Sequence, residues 1–189
     1  MADSIIKRWD ITPEELTEVI DQNPSLHGMI LGYLAELKLE KLWLSGQGIS
    51  DVTKHDDHDR KKKGDRVIRY KDHELLFESK SLQTATVKKT DEGWVGKAQV
   101  DATDRREVVL PDGSTVTTTC LLKGEFDILA VNDLPSRTLG ASFLQRIPVS
   151  PPRTTGDTRN INDDICWPPK PPFSEEPFTL MNEIIQNRI

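Results

Sequence analysis

The sequence feature that most constrains the fold is a nearly continuous apolar run from Phe126 to Val131 (FDILAV). Only Asp127 interrupts it, and an apolar run without polar alternation is typical of a strand that is covered on both faces. Such a strand lies inside a sheet that has other layers on both of its sides. The run therefore predicts an α/β fold, in which helices flank a mixed central sheet.

The N-terminal region supplies the predicted helices. Thr12 to Glu15 is a capping box with proline at the first helical position, which predicts a short helix that runs to about Asp21. A second helix is predicted to begin at Asn23-Pro24, because apolar residues then recur at helical spacing until Leu44. Its apolar residues lie on several sides, so we expect this second helix to be buried.

The middle of the chain has the composition of strands and turns. Residues 51–64 form a charged run, which predicts a solvated loop. Strands at 65–70 and 75–81 form a natural hairpin, and a two-residue turn at Asp72-His73 would pair Tyr70 with Leu75. Further strands are predicted at 94–101, 106–110 and 115–122, where the last two form a second hairpin, and a short helix is predicted at 139–145.

The segment from Pro148 onward changes character, with Pro-Pro pairs at 151, 168 and 171. We therefore divide the chain into a domain at 1–147 and a Pro-rich arm at 148–189 that ends in a short helix. The apolar residues of the arm are too numerous for a disordered tail. The arm is expected to pack on its own domain or on a second subunit, which would allow a homodimer.

The composition indicates the size, the expected location and the general charge class of the protein. With 189 residues the chain has the size of one domain plus appendages, and its two cysteines have no metal-site spacing. The N-terminus has no apolar signal region and no stretch is long enough to span a membrane. A reducing, cytoplasmic location without a membrane partner is expected. The net charge of −6 excludes a protein that coats DNA through general basicity.

The chemistry-bearing pattern is Glu78-Ser79-Lys80, which lies inside the second predicted strand. Side chains two residues apart on a strand project to the same face, so the carboxylate and the ammonium share one surface. The pattern Glu36-Leu37-Lys38 has the same spacing, but residues i and i+2 of a helix do not face each other. In the predicted register Glu78 lies opposite Val67 and Lys80 lies opposite Asp65, so three polar groups converge.

Two neighbouring carboxylates provide oxygen ligands for Mg²⁺ or Mn²⁺. A lysine beside them can orient or help to deprotonate a water molecule and can balance charge on a phosphate. The pattern therefore favours metal-assisted phosphodiester hydrolysis.

The order of these elements resembles the PD-(D/E)xK nuclease superfamily, the restriction-endonuclease-like fold, over about residues 24 to 132. Gly64-Asp65 opens one strand and Glu78-Ser79-Lys80 lies in the next, although Gly64 stands where the family has proline. The resemblance implies that Asp65 and Glu78 bind Mg²⁺, with Mn²⁺ as a substitute, and that Lys80 orients the water. It also implies a helix glutamate near Glu36 as a further ligand, and DNA as the substrate of an endonuclease. The hairpin predicted at about 106–122 departs from the family pattern and looks like an insertion.

Other interpretations of the same residues stay open. Glu78 and Lys80 could form a solvent-facing ion pair, and Asp65 could be a turn residue after Gly64. Either Glu36 or Glu40 could merely border a buried helix face. At the level of function, the alternatives are a catalytically silent restriction-endonuclease-like module for DNA binding or assembly, and a scaffold protein that touches no nucleic acid.

Basic residues immediately precede the candidate site. The stretch at 60–63, with Arg66 and Arg69, would suit phosphate contacts, but an exposed loop balanced by Asp56, Asp57 and Asp59 explains it equally well. The neighbouring His55 to His58 segment contains potential metal ligands. A polar loop without a third fixed ligand is usually solvated, so we do not assign it to a metal site.

Overall fold

The computed structural model describes residues 3–46, 48–55, 64–98, 101–109, 113–120, 125–132, 142–146, 165–167, 173–174 and 176–188. The predicted basic stretch at 60–63 and most of the His55 to His58 segment lie outside these residues. The helices are α1 (Ile5–Trp9), α2 (Pro13–Gln22), α3 (Pro24–Leu39, continued by a π-helical turn at Glu40–Leu44) and α4 (Phe178–Gln186). The strands are β1 (Ile49–Thr53), β2 (Arg66–Tyr70), β3 (His73–Ser81), β4 (Lys88–Thr90), β5 (Gly93–Gly96), β6 (Asp101–Val109), β7 (Thr115–Cys120), β8 (Ile128–Asn132), β9 (Ser142–Arg146), β10 (Ile165–Trp167) and β11 (Phe173–Ser174).

The central sheet has six strands in the order β1-β2-β3-β8-β9-β11. Strands β3 and β8 are parallel and the other described pairs are antiparallel, so the sheet is mixed as predicted. The apolar run supplies β8, which lies in the middle of the sheet, and its residues 128–131 are all at most 2% exposed. The prediction of a mixed α/β fold is confirmed.

The N-terminal helices follow the predicted starts. Thr12 and Glu15 form the capping box at α2, with the Glu15 N–H donating to Thr12 Oγ1 at 3.1 Å. Only Ala35, Glu36 and Leu39 of α3 are buried, and residues such as Met29 are exposed. The expectation of a buried second helix is therefore wrong, because the sheet covers only one side of α3. No helix among the described residues is long and apolar enough to cross a membrane.

The β2–β3 hairpin has a different register from the predicted one. Tyr70 pairs with His73, not with Leu75, because the two-residue turn lies at Lys71 and Asp72. Both turn residues have positive φ, 48° and 66°, as a type I′ turn requires. Moving the turn by one residue shifts the pairing by two, which changes the partners but preserves the face of every side chain.

Two further predictions of secondary structure are wrong. Part of the predicted loop at 51–64 is strand β1, which pairs with β2 and extends the sheet. Within the described residues, the part of the helix predicted at 139–145 that begins at Ser142 is instead strand β9 (Ser142–Arg146), which pairs antiparallel with the edge of β8. The hairpin predicted at about 106–122 is confirmed, since β6 and β7 pair with each other in a separate two-stranded sheet.

The described parts of the Pro-rich arm pack on their own chain. Strand β10 pairs with β5, and β11 pairs with β9 at the edge of the central sheet. Helix α4 contributes Leu180, Met181, Ile184 and Ile185 to the main core. These contacts give no support to a homodimer formed through the arm, and the domain border at 147 stays a prediction.

A glycine in a left-handed conformation immediately precedes Asp65. Gly64 has φ +76°, and a Cβ there would lie 3.1 Å from the backbone oxygen of Phe77. We expect Gly64→Ala to lower the free energy of unfolding by about 1 to 2 kcal/mol. The matched control is Gly28→Ala, in α3, where a Cβ meets nothing within 4 Å and alanine should stabilise by up to about 1 kcal/mol. Urea denaturation that gives both variants the same sign would contradict this assignment.

Candidate active site

Backbone pairing holds Asp65 beside Glu78. Arg66 is paired with Phe77, so the preceding residue, Asp65, lies next to Glu78 rather than opposite Lys80 as predicted. The Asp65 N–H donates to the Phe77 carbonyl at 2.8 Å, and Asp65 Oδ2 accepts from the Ser79 N–H at 2.7 Å. The carboxylate of Asp65 is therefore fixed against β3 by a backbone donor.

Glu78 and Lys80 lie on the same face of β3, opposite to the face on which Leu75 and Phe77 enter the core. Glu78 is only 6% exposed, and its Oε1 lies 2.6 Å from the Lys80 ammonium. This burial excludes the solvent-facing ion pair considered from the sequence. Within the described part of the chain, the hydrogen bond of Asp65 is made by Oδ2 and the ion pair of Glu78 by Oε1, so Asp65 Oδ1 and Glu78 Oε2 have no protein donor there.

Burial determines the electrostatics of both carboxyl groups. Burial, reinforced by the nearby charge of Asp65, raises the pKa of Glu78 to about 7, although Lys80 acts to lower it. Burial also raises the pKa of Asp65, against the opposing effects of Lys80 and the Ser79 N–H. The neutral forms of both carboxyl groups are therefore favoured by burial, and the neighbouring cation Lys80 only partly offsets this effect.

Lys80 stays a cation in this environment. Burial acts to lower its pKa, but the charges of Glu78 and Asp65 outweigh burial and raise the pKa above its ordinary value. At neutral pH the ammonium is protonated, so Lys80 is suited to donating hydrogen bonds and positive charge. It is not suited to accepting a proton in this state.

The structure also places a buried ion-pair network behind Asp65. Arg66 donates from Nη1 to Glu36 Oε2 at 2.8 Å and from Nε to Glu40 Oε2 at 3.2 Å. Lys54 lies 3.0 Å from the same oxygen of Glu36. The suggested phosphate contact by Arg66 is wrong, because its side chain is buried and already paired. The alternation of side chains along β2 could have indicated this network from the sequence, because it places the charged Arg66 on the core-facing side. A buried charge there requires a partner.

Glu36 is near Asp65 and Glu78 but is held by other groups. Its charge acts on both carboxylates, whereas its Oε2 accepts from two cations. Among the residues that the structure describes, no three His, Cys, Asp or Glu side chains are grouped so that they could hold a metal ion. The role of Glu36 as a metal ligand stays a prediction.

The donor set of Asp65 and Glu78 fits a hard divalent cation. Carboxylate oxygens are the ligands that Mg²⁺ and Mn²⁺ prefer, and Mg²⁺ commonly uses only one or two of them while it keeps several waters. Burial disfavours the ionised form of both carboxyl groups and raises their pKa values, and a bound cation would stabilise the ionised forms. The arrangement can therefore hold such a cation and present a protonated lysine beside it.

Comparisons with known proteins give one distant similarity. No protein-family model matches the chain, and no curated protein matches it significantly. A solved structure of a bacterial homing endonuclease, I-Ssp6803I, aligns with 19% identity and a TM-score of 0.38. The alignment covers 61% of this chain and 66% of that structure, slightly less than two thirds of it. A similarity at this level assigns neither fold nor function, so the site chemistry has to support any functional proposal.

Proposed function

We propose that the protein is a Mg²⁺-dependent DNA endonuclease with a restriction-endonuclease-like core. The observation that supports this proposal best is the juxtaposition of Asp65, just before β2, with the buried Glu78 and the half-buried, protonated Lys80 on β3. Each side chain has the chemical character that metal-assisted phosphodiester hydrolysis requires. Mn²⁺ is expected to substitute for Mg²⁺ because it accepts the same oxygen ligands.

Each residue has a distinct task in this proposal. Asp65 Oδ1 and Glu78 Oε2 would hold the cation, while Ser79 and Lys80 fix the other oxygen of each carboxylate. When bound, the cation would supply Lewis-acid polarisation of a phosphate oxygen and a lower pKa for a water molecule. The Lys80 ammonium would orient the attacking water and stabilise negative charge that develops on the phosphate.

DNA is the proposed partner because the reaction centre suits a phosphodiester and because a cation offsets the acidic net charge of the protein. Arg69 is exposed and lies on the same face of the hairpin as Glu78, where it could contact a flanking phosphate. The predicted phosphate contacts by the stretch at 60–63 lie outside the described residues.

The test is cleavage of supercoiled plasmid and of single-stranded circular DNA in Mg²⁺ and in Mn²⁺, with the wild type beside Glu78→Ala. Cutting by the wild type alone would support the proposal. If neither protein cuts either DNA, binding of the same DNAs in EDTA decides between the alternatives. Binding without cleavage would favour the silent DNA-binding module, and no binding would reject the nucleic-acid proposal.

The pKa of Glu78 predicts a pH-dependent response to Mg²⁺. The pKa of Glu78 in the folded protein is about 7, above its ordinary value of 4.5. The contribution of Glu78 to the stability of the metal-free protein is therefore fully present below about pH 4.5, and it is lost as the pH rises through 7. Mg²⁺ requires the deprotonated carboxylate, so its affinity should rise up to tenfold per pH unit below pH 7.

The measurement is the melting temperature with and without Mg²⁺ at pH 5.5 and pH 8.5. If the dissociation constant is about 1 mM, about 10 mM Mg²⁺ stabilises by about 1.4 kcal/mol at the higher pH, which raises the melting temperature by about 3 °C. At the lower pH the shift should nearly vanish. An equal shift at both pH values would contradict the assignment of Glu78 as a ligand.

A further inference from the structure

A buried arginine connects helix α3 to the residue that precedes β2. Arg66 is 5% exposed, which leaves its guanidinium inaccessible to DNA. Its Nη1 donates to Glu36 Oε2 at 2.8 Å and also to the backbone carbonyl of Asp65 at 2.9 Å. Its Nε donates to Glu40 Oε2 at 3.2 Å. The planar guanidinium of Arg66 therefore contacts two acidic side chains of the helical region and the backbone of a candidate metal ligand.

Asp65 is held at three points by these contacts. Its N–H donates to Phe77, its side chain accepts from Ser79, and its carbonyl accepts from Arg66. The first two contacts attach Asp65 to β3, and the third attaches it to the ion-pair network. Gly64, just before it, adopts a left-handed conformation and gives no side-chain support. The guanidinium is therefore the contact that joins the Asp65 backbone to helix α3, whereas the two other contacts join it to β3.

We infer that Arg66 is a positioning residue for the candidate metal site, and that Glu36 anchors Arg66 instead of binding the metal. This inference rests on the proposed function, because it assigns supporting roles around the same cation. A planar guanidinium can satisfy two carboxylates and a carbonyl at once, whereas a lysine ammonium lacks this fixed fork. Positioning partners of this kind typically change metal affinity by about 10- to 100-fold when they are replaced.

The contacts of Glu36 distinguish an anchor from a ligand. Its Oε2 accepts from Arg66 and lies 3.0 Å from the Lys54 ammonium, so the charge of this carboxylate is already shared by two cations, whereas Glu78 has one lysine partner. An anchor needs only an oxygen that accepts a hydrogen bond, whereas a ligand to Mn²⁺ needs the negative charge. Glu36→Gln keeps the first property and removes the second.

The experiment is a titration of the full chain with Mn²⁺ alone, followed by electron paramagnetic resonance, without DNA. Asp65→Asn and Glu78→Gln should each lose Mn²⁺ affinity by about 100-fold or more, since each loses a proposed ligand. The Mn²⁺ affinity of Arg66→Lys should fall by about 10- to 100-fold, and the Mn²⁺ affinity of Glu36→Gln should stay within about threefold of the wild-type value.

Two further variants separate positioning from folding. Arg66→Gln combined with Glu36→Gln removes both charges of the buried pair, and the charged groups that contact this pair, Glu40 and Lys54, have side chains that are 41% and 35% exposed. The double variant should therefore fold, and it should show the same loss of affinity as Arg66→Lys. Adding Arg66→Lys to Asp65→Asn should cause no further loss, because Arg66 acts through Asp65. A purely structural arginine would lower the melting temperature but leave the Mn²⁺ affinity of the folded protein unchanged.

The outcomes separate this inference from the proposed function. If Asp65→Asn and Glu78→Gln lose Mn²⁺ while Arg66→Lys retains it, the positioning role is refuted and the metal site stands. If Glu36→Gln loses as much affinity as Asp65→Asn, Glu36 is a ligand and the anchor role is refuted. If all four variants bind Mn²⁺ like the wild type, the site itself is wrong and both proposals fail.

Discussion

Glu78→Gln is expected to reduce metal-dependent DNA cleavage by on the order of 10³-fold or more, because it removes the charge of a proposed ligand at the reaction centre. The same change removes a buried carboxylate whose pKa is raised to about 7. The metal-free variant should therefore be more stable than the wild type at pH 8, by about 1 to 2 kcal/mol. Cleavage rates in Mg²⁺ and urea denaturation in EDTA measure the two effects.

The matched control is Glu74→Gln. Glu74 lies on the same strand and the same face as Glu78, but it is exposed and pairs in register with Arg69. Its replacement should leave the cleavage rate within about twofold and change stability by less than about 0.5 kcal/mol. Equal activity of the two variants would show that Glu78 has no special role.

Lys80→Met is expected to separate metal binding from catalysis. Loss of the ammonium should reduce cleavage by about 10²-fold or more, because the group that balances charge on the phosphate is gone. Affinity for Mn²⁺ at pH 8.5 should stay within about threefold of the wild type. The loss of a competing cation favours the metal, while the resulting rise in the pKa of Glu78 opposes it.

The comparison variant for this prediction is Lys80→Arg, which retains a positive charge near Glu78 and should recover part of the cleavage rate. Manganese titration and single-turnover cleavage, measured on the same preparations, provide the two readouts. An equal loss of Mn²⁺ affinity and cleavage in Lys80→Met would make Lys80 a structural partner of the site. Full cleavage in that variant would exclude a role in the reaction.

The sequence predicts the faces of the β2–β3 hairpin better than the pairing partners. The period of two along a strand fixes which residues share a face, so Glu78 and Lys80 are correctly grouped on one face. The same period puts Arg66 on the face of its partner Phe77, which argues against the phosphate contact suggested for it. The pairing depends on the turn, and neither Asp72-His73 nor Lys71-Asp72 contains the glycine or asparagine that marks a type I′ turn. The shift by two residues brings Asp65 beside Glu78.

Tertiary pairing explains the missed strands. Ile49 to Thr53 contains Ser50 and Asp51, which do not favour a strand, yet β1 forms because β2 offers an open edge. The apolar residues Phe143 and Leu144 fit a helix or a strand, and the exposed ladder of β8 selects the strand. Such choices depend on neighbours that are distant in the chain.

The ion-pair network of Arg66 was only partly predictable. The alternation of β2 shows that this arginine needs a buried partner, but it does not identify Glu36 and Glu40, which lie 30 and 26 positions earlier. Their spacing of four residues places both carboxylates on one side of the helical segment, where the guanidinium can reach them together. The association of α3 with the sheet then selects them.

The most direct test of the metal site is the anomalous difference map of a crystal of this protein soaked in Mn²⁺, with Glu78→Gln as the control. We expect a peak about 2.0 to 2.3 Å from Asp65 Oδ1 and Glu78 Oε2 in the wild type, and no peak there in the variant. A wild-type map without density between these two carboxylates, at Mn²⁺ concentrations that support DNA cleavage, would contradict the proposed site.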